Sequence, residues 1–283
     1  MADVAAAQAE VGAQAGSARE APLTGEQRLA EAFRGHGRRA ALMPYMMAGF
    51  PTLEQSLRIG EACIDAGADV IELGVPYSDP LADGPVIHEA ATAALAAGVS
   101  LGGVLEVARP LAQRVPVVLM CYANMVYAPG VDAFAQRLAR SGCCGLIVPD
   151  LPLEEAEEVR QACAAQGLAL VPLLAPTSTP ERMQAIGASA SGFLYTVSVV
   201  GTTGERVTSD DGLAELIARA RASTSVPVAI GFGIATPEQA RSVADAGADG
   251  VIVGSRLVRA AAESEDPAGA VGEVVAELAA ALR

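Results

Sequence analysis

The chain has 283 residues, enough for one large α/β domain or two small ones, and its net charge of −14 argues against nucleic acid or an anionic membrane as a partner. All 19 basic residues are arginine. The lack of lysine removes Schiff-base catalysis, a pyridoxal phosphate anchor and the lysine of a phosphate-binding P-loop.

Residues 1–22 are rich in Ala, Gln and Gly, with neither a basic start nor an apolar core, and are expected to be a disordered leader rather than a targeting segment. Residues 23–283 are expected to form one domain. A capping pattern at Thr24-Gly25-Glu26-Gln27 opens a helix, with Leu29, Ala32 and Phe33 at helical spacing. A strand over 41–48 follows, and Thr52 is an N-cap for a helix reaching 66–67. The pattern then repeats. Strands are expected at 69–75, 116–122, 145–149, 168–174, 192–198, 227–231 and 250–254. Helices are expected at 86–97, 102–114, 131–141, 153–166, 180–188, 211–222, 236–246 and onward to the C-terminus.

Eight short, continuously apolar strands alternating with helices predict a parallel sheet covered on the outside, and eight units fit a TIM (β/α)8 barrel with an added N-terminal helix. An open doubly wound sheet is the other architecture, but no GxGxxG follows the first strand. Residues 61–74 (EACIDAGADVIELG) echo 240–254 (ARSVADAGADGVIVG), a trace of repetition. Five cysteines, at 63, 121, 143, 144 and 163, form no CxxC pair and mostly fall in apolar runs, which fits free core thiols in a reducing compartment, here the cytoplasm. No run of about 18 apolar residues occurs, so no membrane span is expected. With only His36 and His88, a histidine-rich metal site is not expected.

One stretch organises the rest. In DVIELGVPYSDPLADGP, residues 69–85, Glu72 falls at the end of a strand that should be buried, where a carboxylate is costly unless it is used. Eleven residues on, Asp83 sits on a proline-rich loop that also carries Ser78 and Asp79. Glu72 and Asp83 make a plausible acid/base pair. Asp79 could simply brace its turn, and Asp83 before Gly84-Pro85 could do the same. Asp150, between Pro149 and Leu151-Pro152, either orients a loop or meets a ligand. Phe50, Tyr122, Tyr195 and Phe232 lie near strand ends and are either core or the wall of a flat aromatic substrate site. Glycine turns after the last three strands, 201–204, Gly231–Gly233 and Gly254-Ser255, suit a phosphate held by backbone N–H groups and a helix start.

These residues give the chain a resemblance to the tryptophan synthase alpha subunit family over about residues 24–283. The resemblance rests on ELGVPYSDPLADGP at 72–85, CYAN at 121–124, PDLP at 149–152, Tyr195 followed by GTTG at 201–204, GFGI at 231–234 and VGS at 253–255, in the family's order. It implies a cofactor-independent lyase that splits indole-3-glycerol phosphate into indole and glyceraldehyde 3-phosphate. Glu72 matches the family's catalytic glutamate, and Asp83 the aspartate that accepts the indole N–H. Tyr195 matches a pocket tyrosine, while Gly204, Gly233, Gly254 and Ser255 match the phosphate site. Tyr45, Met120 and Phe232 fall where the family lines its indole pocket, with Tyr45 where phenylalanine is common. Tyr122 and Asp150 join them as substrate-binding candidates. The resemblance also implies a beta-subunit partner in an alpha2beta2 assembly, met through loops at 76–85 and 199–209. Val199-Val200 stand where many relatives carry an arginine and a small residue.

Overall fold

The computed structural model describes residues 23–35, 37–197, 210–231 and 233–283, with Asp210 and Asp211 described by backbone alone. The leader, His36, Val199-Val200, the 201–204 turn and Phe232 lie outside the described residues.

The strands are β1 (Ala41–Met47), β2 (Ile71–Gly74), β3 (Val117–Met120), β4 (Gly145–Ile147), β5 (Ala169–Val171), β6 (Leu173–Leu174), β7 (Leu194–Val197), β8 (Val228–Gly231) and β9 (Gly250–Val253). All pair in parallel, in the order β5-β4-β3-β2-β1-β9-β8-β7-β6. The two ends of that order, β5 and β6, are consecutive in the chain and separated only by Pro172, so the chain itself joins the ends of the sheet into a ring. The single strand expected over 168–174 is therefore two. Pro172 has no N–H to give to a ladder. The residues before it pair with β4, and those after it with β7.

The helices are α1 (Gly25–Gly35), α2 (Leu53–Asp65), α3 (Pro85–Ala96), α4 (Leu101–Ala112), α5 (Ala123–Tyr127), α6 (Val131–Arg140), α7 (Glu157–Ala165), α8 (Pro180–Ser189), α9 (Asp210–Ser223), α10 (Pro237–Asp245), α11 (Ser255–Glu263) and α12 (Pro267–Ala281). The helix expected over 153–166 begins as a separate 3-10 turn, Leu153–Glu155. The short α5 was not expected. Among the described residues, no single helix is long and apolar enough to cross a membrane.

Strand alternation sorts the core into two parts. Ala41, Met43, Tyr45 and Met47 of β1 face the barrel interior, where they meet Val118, Ile147, Val171, Tyr195, Ala229 and Ile252. Leu42, Met46, Ile71, Leu73, Leu119 and Val251 face outward and pack under the helices. Helix α1 covers the N-terminal end of the ring. Thr24 and Gln27 cap it reciprocally, each side chain accepting the other's backbone N–H, at 3.2 and 2.8 Å. Its Leu29 and Phe33 enter the interior cluster, with Phe33 against Phe193 at 5.5 Å between ring centroids. Arg28 donates to the carbonyls of Ala112 and Gly142, at or near the C-terminal ends of α4 and α6, where unpaired carbonyls attract a cation.

The internal echo has a structural meaning. Asp69 accepts the N–H of Leu42 at 2.7 Å, and Asp249 accepts that of Val228 at 2.9 Å. In each case the aspartate's own N–H returns to the carbonyl of the same residue, at 2.9 and 2.8 Å. Arg38 pairs with Asp69 and donates to the Gly67 carbonyl; Arg221 pairs with Asp249 and donates to that of Gly247. The AGAD repeat is thus one staple used twice, tying the start of a strand to its neighbour at the N-terminal end of the barrel.

Candidate active site

Glu72 projects into the interior because the residues flanking it in β2, Ile71 and Leu73, face the helices. It is 1% exposed, and neither carboxylate oxygen has a hydrogen-bond partner among the described residues. Burial first, and the charge of Asp83 second, push its pKa from 4.5 to about 8. At neutral pH this carboxyl therefore keeps its proton.

Asp83 stands above it on the loop between β2 and α3 and is partly buried. Burial raises its pKa, while a hydrogen bond with Tyr122 and the nearby His88 pull it back down. The Tyr122 hydroxyl also accepts the N–H of Ala82 at 3.1 Å, and its ring stacks on Tyr77 at 4.7 Å. The two environments differ: Glu72 is shielded without a partner, whereas Asp83, its pKa also raised by burial, has a hydrogen bond and a histidine that favour its anion.

Two tyrosines flank Glu72 by one device. Tyr45 is the register neighbour of Glu72 across β1 and β2, and its ring leans two residues further along, over Gly74. Tyr195 is paired with Ala229 and leans in the same way over Gly231. A Cβ on either glycine would collide with the tyrosine hydroxyl. Both phenols feel Glu72 and Asp83 and are raised well above the ordinary value, chiefly by burial. Met120 closes β3 within the same interior cluster.

The remaining candidates divide. Asp150 accepts the N–H of Ala123 at 2.8 Å at the start of α5, so of its two expected duties the loop-orienting one has a visible partner. Asp79 accepts the Ser78 hydroxyl at 2.6 Å, a turn contact. Gly233 has φ 80, a left-handed conformation that favours glycine. Gly254 and Ser255 form the N-terminus of α11, where Leu257 and Val258 return their N–H groups to Gly254 and those ahead of them have no helical acceptor. Gly204 and Phe232 lie outside the described residues. Sequence reasoning passed over His88 as a partner of Asp83. Its place five residues on, in the first turn of a helix begun by Pro85, was the available signal.

The sequence pattern of the family described as tryptophan synthase alpha chain matches residues 33–282. The chain belongs to the tryptophan synthase alpha chain family. Two tryptophan synthase alpha chains, from Thermosynechococcus vestitus and Gloeobacter violaceus, are 48% and 46% identical to it over 246 and 262 residues, covering 86% and 90% of this chain and 92% and 95% of theirs. The fold agrees with tryptophan synthase of Mycobacterium tuberculosis (TM-score 0.84, 38% identity, 93% of this chain and 99% of that one). It also agrees with tryptophan synthase subunit alpha of Legionella pneumophila (TM-score 0.84, 35% identity, 92% and 99%). As a member of that family, the protein is a lyase of tryptophan biosynthesis that cleaves indole-3-glycerol phosphate to indole and glyceraldehyde 3-phosphate.

Proposed function

We propose that Glu72 and Asp83 carry this cleavage between them, without a cofactor. Protonated Glu72 gives its proton to C3 of the indole ring. The positive charge that forms at the ring nitrogen is met by ionised Asp83, which accepts the N–H. The Glu72 carboxylate then takes the proton of the glycerol hydroxyl next to C3. The O–H electrons become the aldehyde C=O, the carbon–carbon bond breaks, and its electrons return to the ring. Glu72 ends as it began, so no proton is gained or lost. The observation that carries this reading is a fully buried carboxyl with no hydrogen-bond partner among the described residues, protonated at neutral pH, beside a second acid whose anion Tyr122 and His88 favour against the raising effect of burial.

In the same reading Tyr45, Met120, Tyr122, Tyr195 and Phe232 enclose the indole, and Asp150 supports the rim. Gly204, Gly233, Gly254 and Ser255 hold the phosphate through backbone N–H groups and the start of α11, which suits a lysine-free chain. Residues 23–283 act as one catalytic domain. The partner is a tryptophan synthase beta subunit in an alpha2beta2 assembly that receives the indole, with the loops at 76–85 and 199–209 facing it. The five cysteines, all free and buried, support work in the reducing cytoplasm. The test is indole release from indole-3-glycerol phosphate by the purified chain, alone and with a cognate beta subunit. A sharp rise on adding the partner supports the assembly. Fast release that the partner leaves unchanged means a free-standing lyase.

A further inference from the structure

The interior holds a polar group whose hydroxyl the reaction as written leaves unused. The Tyr45 side chain is buried, and its hydroxyl lies over Gly74, where a Cβ would collide with it. Its backbone pairs with that of Glu72, and both side chains enter the same interior face. Glu72, for its part, has two buried oxygens with no donor. That suits a protonated carboxyl poorly and a carboxylate worse, because a buried anion without a donor carries its full desolvation cost.

We propose that Tyr45 is a positioning residue for Glu72: the carboxylate left after the first proton transfer swings to accept from the Tyr45 hydroxyl, which holds that anion in place to take the substrate's hydroxyl proton. This rests on the role given to Glu72 above. Other groups face the same space. Tyr195 enters from β7, Asp83 and behind it His88 from the loop and α3, and Tyr122 from the end of β3. Of these, Tyr122 already serves Ala82 and Asp83, and His88 faces Asp83. Tyr45 is the donor whose strand neighbour is Glu72 itself.

Tyr45→Phe tests this, because it keeps the ring over Gly74 and removes only the hydroxyl. A lost donor to an anion leaves the proton on Glu72 more tightly held. The alkaline limb of kcat/KM then moves to higher pH by about one unit, and kcat falls about tenfold or more, with KM little changed. Infrared titration of the ligand-free protein follows the protonated carboxyl band without turnover, with Glu72→Gln identifying the band. The band should persist to higher pH in Tyr45→Phe. An unmoved band and an unmoved limb overturn the proposal, as does a change in KM alone, which would make Tyr45 part of the pocket wall and nothing more. Full turnover by folded Glu72→Gln overturns the reading of Glu72 beneath it. An inactive Glu72→Gln beside an unaltered Tyr45→Phe overturns only the inference about Tyr45.

Discussion

The Tyr122 hydroxyl accepts the backbone N–H of Ala82 at 3.1 Å and so fastens the end of β3 to the loop that carries Asp83. Because the same hydroxyl lowers the pKa of Asp83, its loss has a definite sign. In Tyr122→Phe the aspartate protonates more readily, so the acid limb of kcat/KM moves to higher pH. Turnover should fall about tenfold, as for loss of one hydrogen bond to a charged group. The pH–rate profile checks both.

Asp83→Asn keeps the size of the side chain and removes its charge. With no anion beside the ring nitrogen, indole release should fall about 10²–10³-fold while the far-ultraviolet circular dichroism is unchanged. Near-normal turnover would show that Asp83 only shapes its turn.

Glu72→Gln should abolish most turnover, by about 10²–10⁴-fold, and should also alter the pH dependence of stability. The folded chain holds this proton up to about pH 8, whereas an ordinary carboxyl releases it near 4.5. Between those values the folded state binds a proton that the unfolded state has lost. This group's contribution to stability is therefore intact below pH 4.5, declines through the window and is gone above about 8. Glutamine does not titrate, so the variant should gain in melting temperature relative to the parent as pH rises from 5 to 9. The gain corresponds to a few kcal/mol at most. Parallel melting curves at all pH values would contradict the raised pKa.

The paired staples predict paired losses. Asp69→Ala and Asp249→Ala each remove an acceptor from a strand N–H and a partner from an arginine. Each should cost about 1–3 kcal/mol in urea unfolding, with the turnover of the folded fraction preserved, since both lie at the end of the barrel away from Glu72. A selective loss of activity without a loss of stability would overturn that placement.

Much of this was legible in the sequence because it depends on local pattern. Thr24, Thr52 and the apolar runs announce their elements through capping and alternation, and Glu72 stands out as a charge inside a buried strand. What was not legible depends on partners distant in the chain. Pro172 looks like one proline in an apolar run until β4 and β7 are seen to claim opposite sides of it. The AGAD echo looks like ancestry until Leu42 and Val228 appear as its acceptors' donors. Asp150 could not be assigned before α5 supplied an N–H for it. The leaning of Tyr45 and Tyr195 over Gly74 and Gly231 needs the strand register, which no single strand contains.

Helix α1, finally, makes the barrel a vessel with a floor. Leu29 and Phe33, set against Phe193, fill the end opposite the acids. Access to Glu72 is therefore left to the opposite end, where Asp83, Gly233 and Ser255 stand. A protein seated on that end would govern the order in which substrate and products pass, and could take up a small uncharged product before the charged one is free to go.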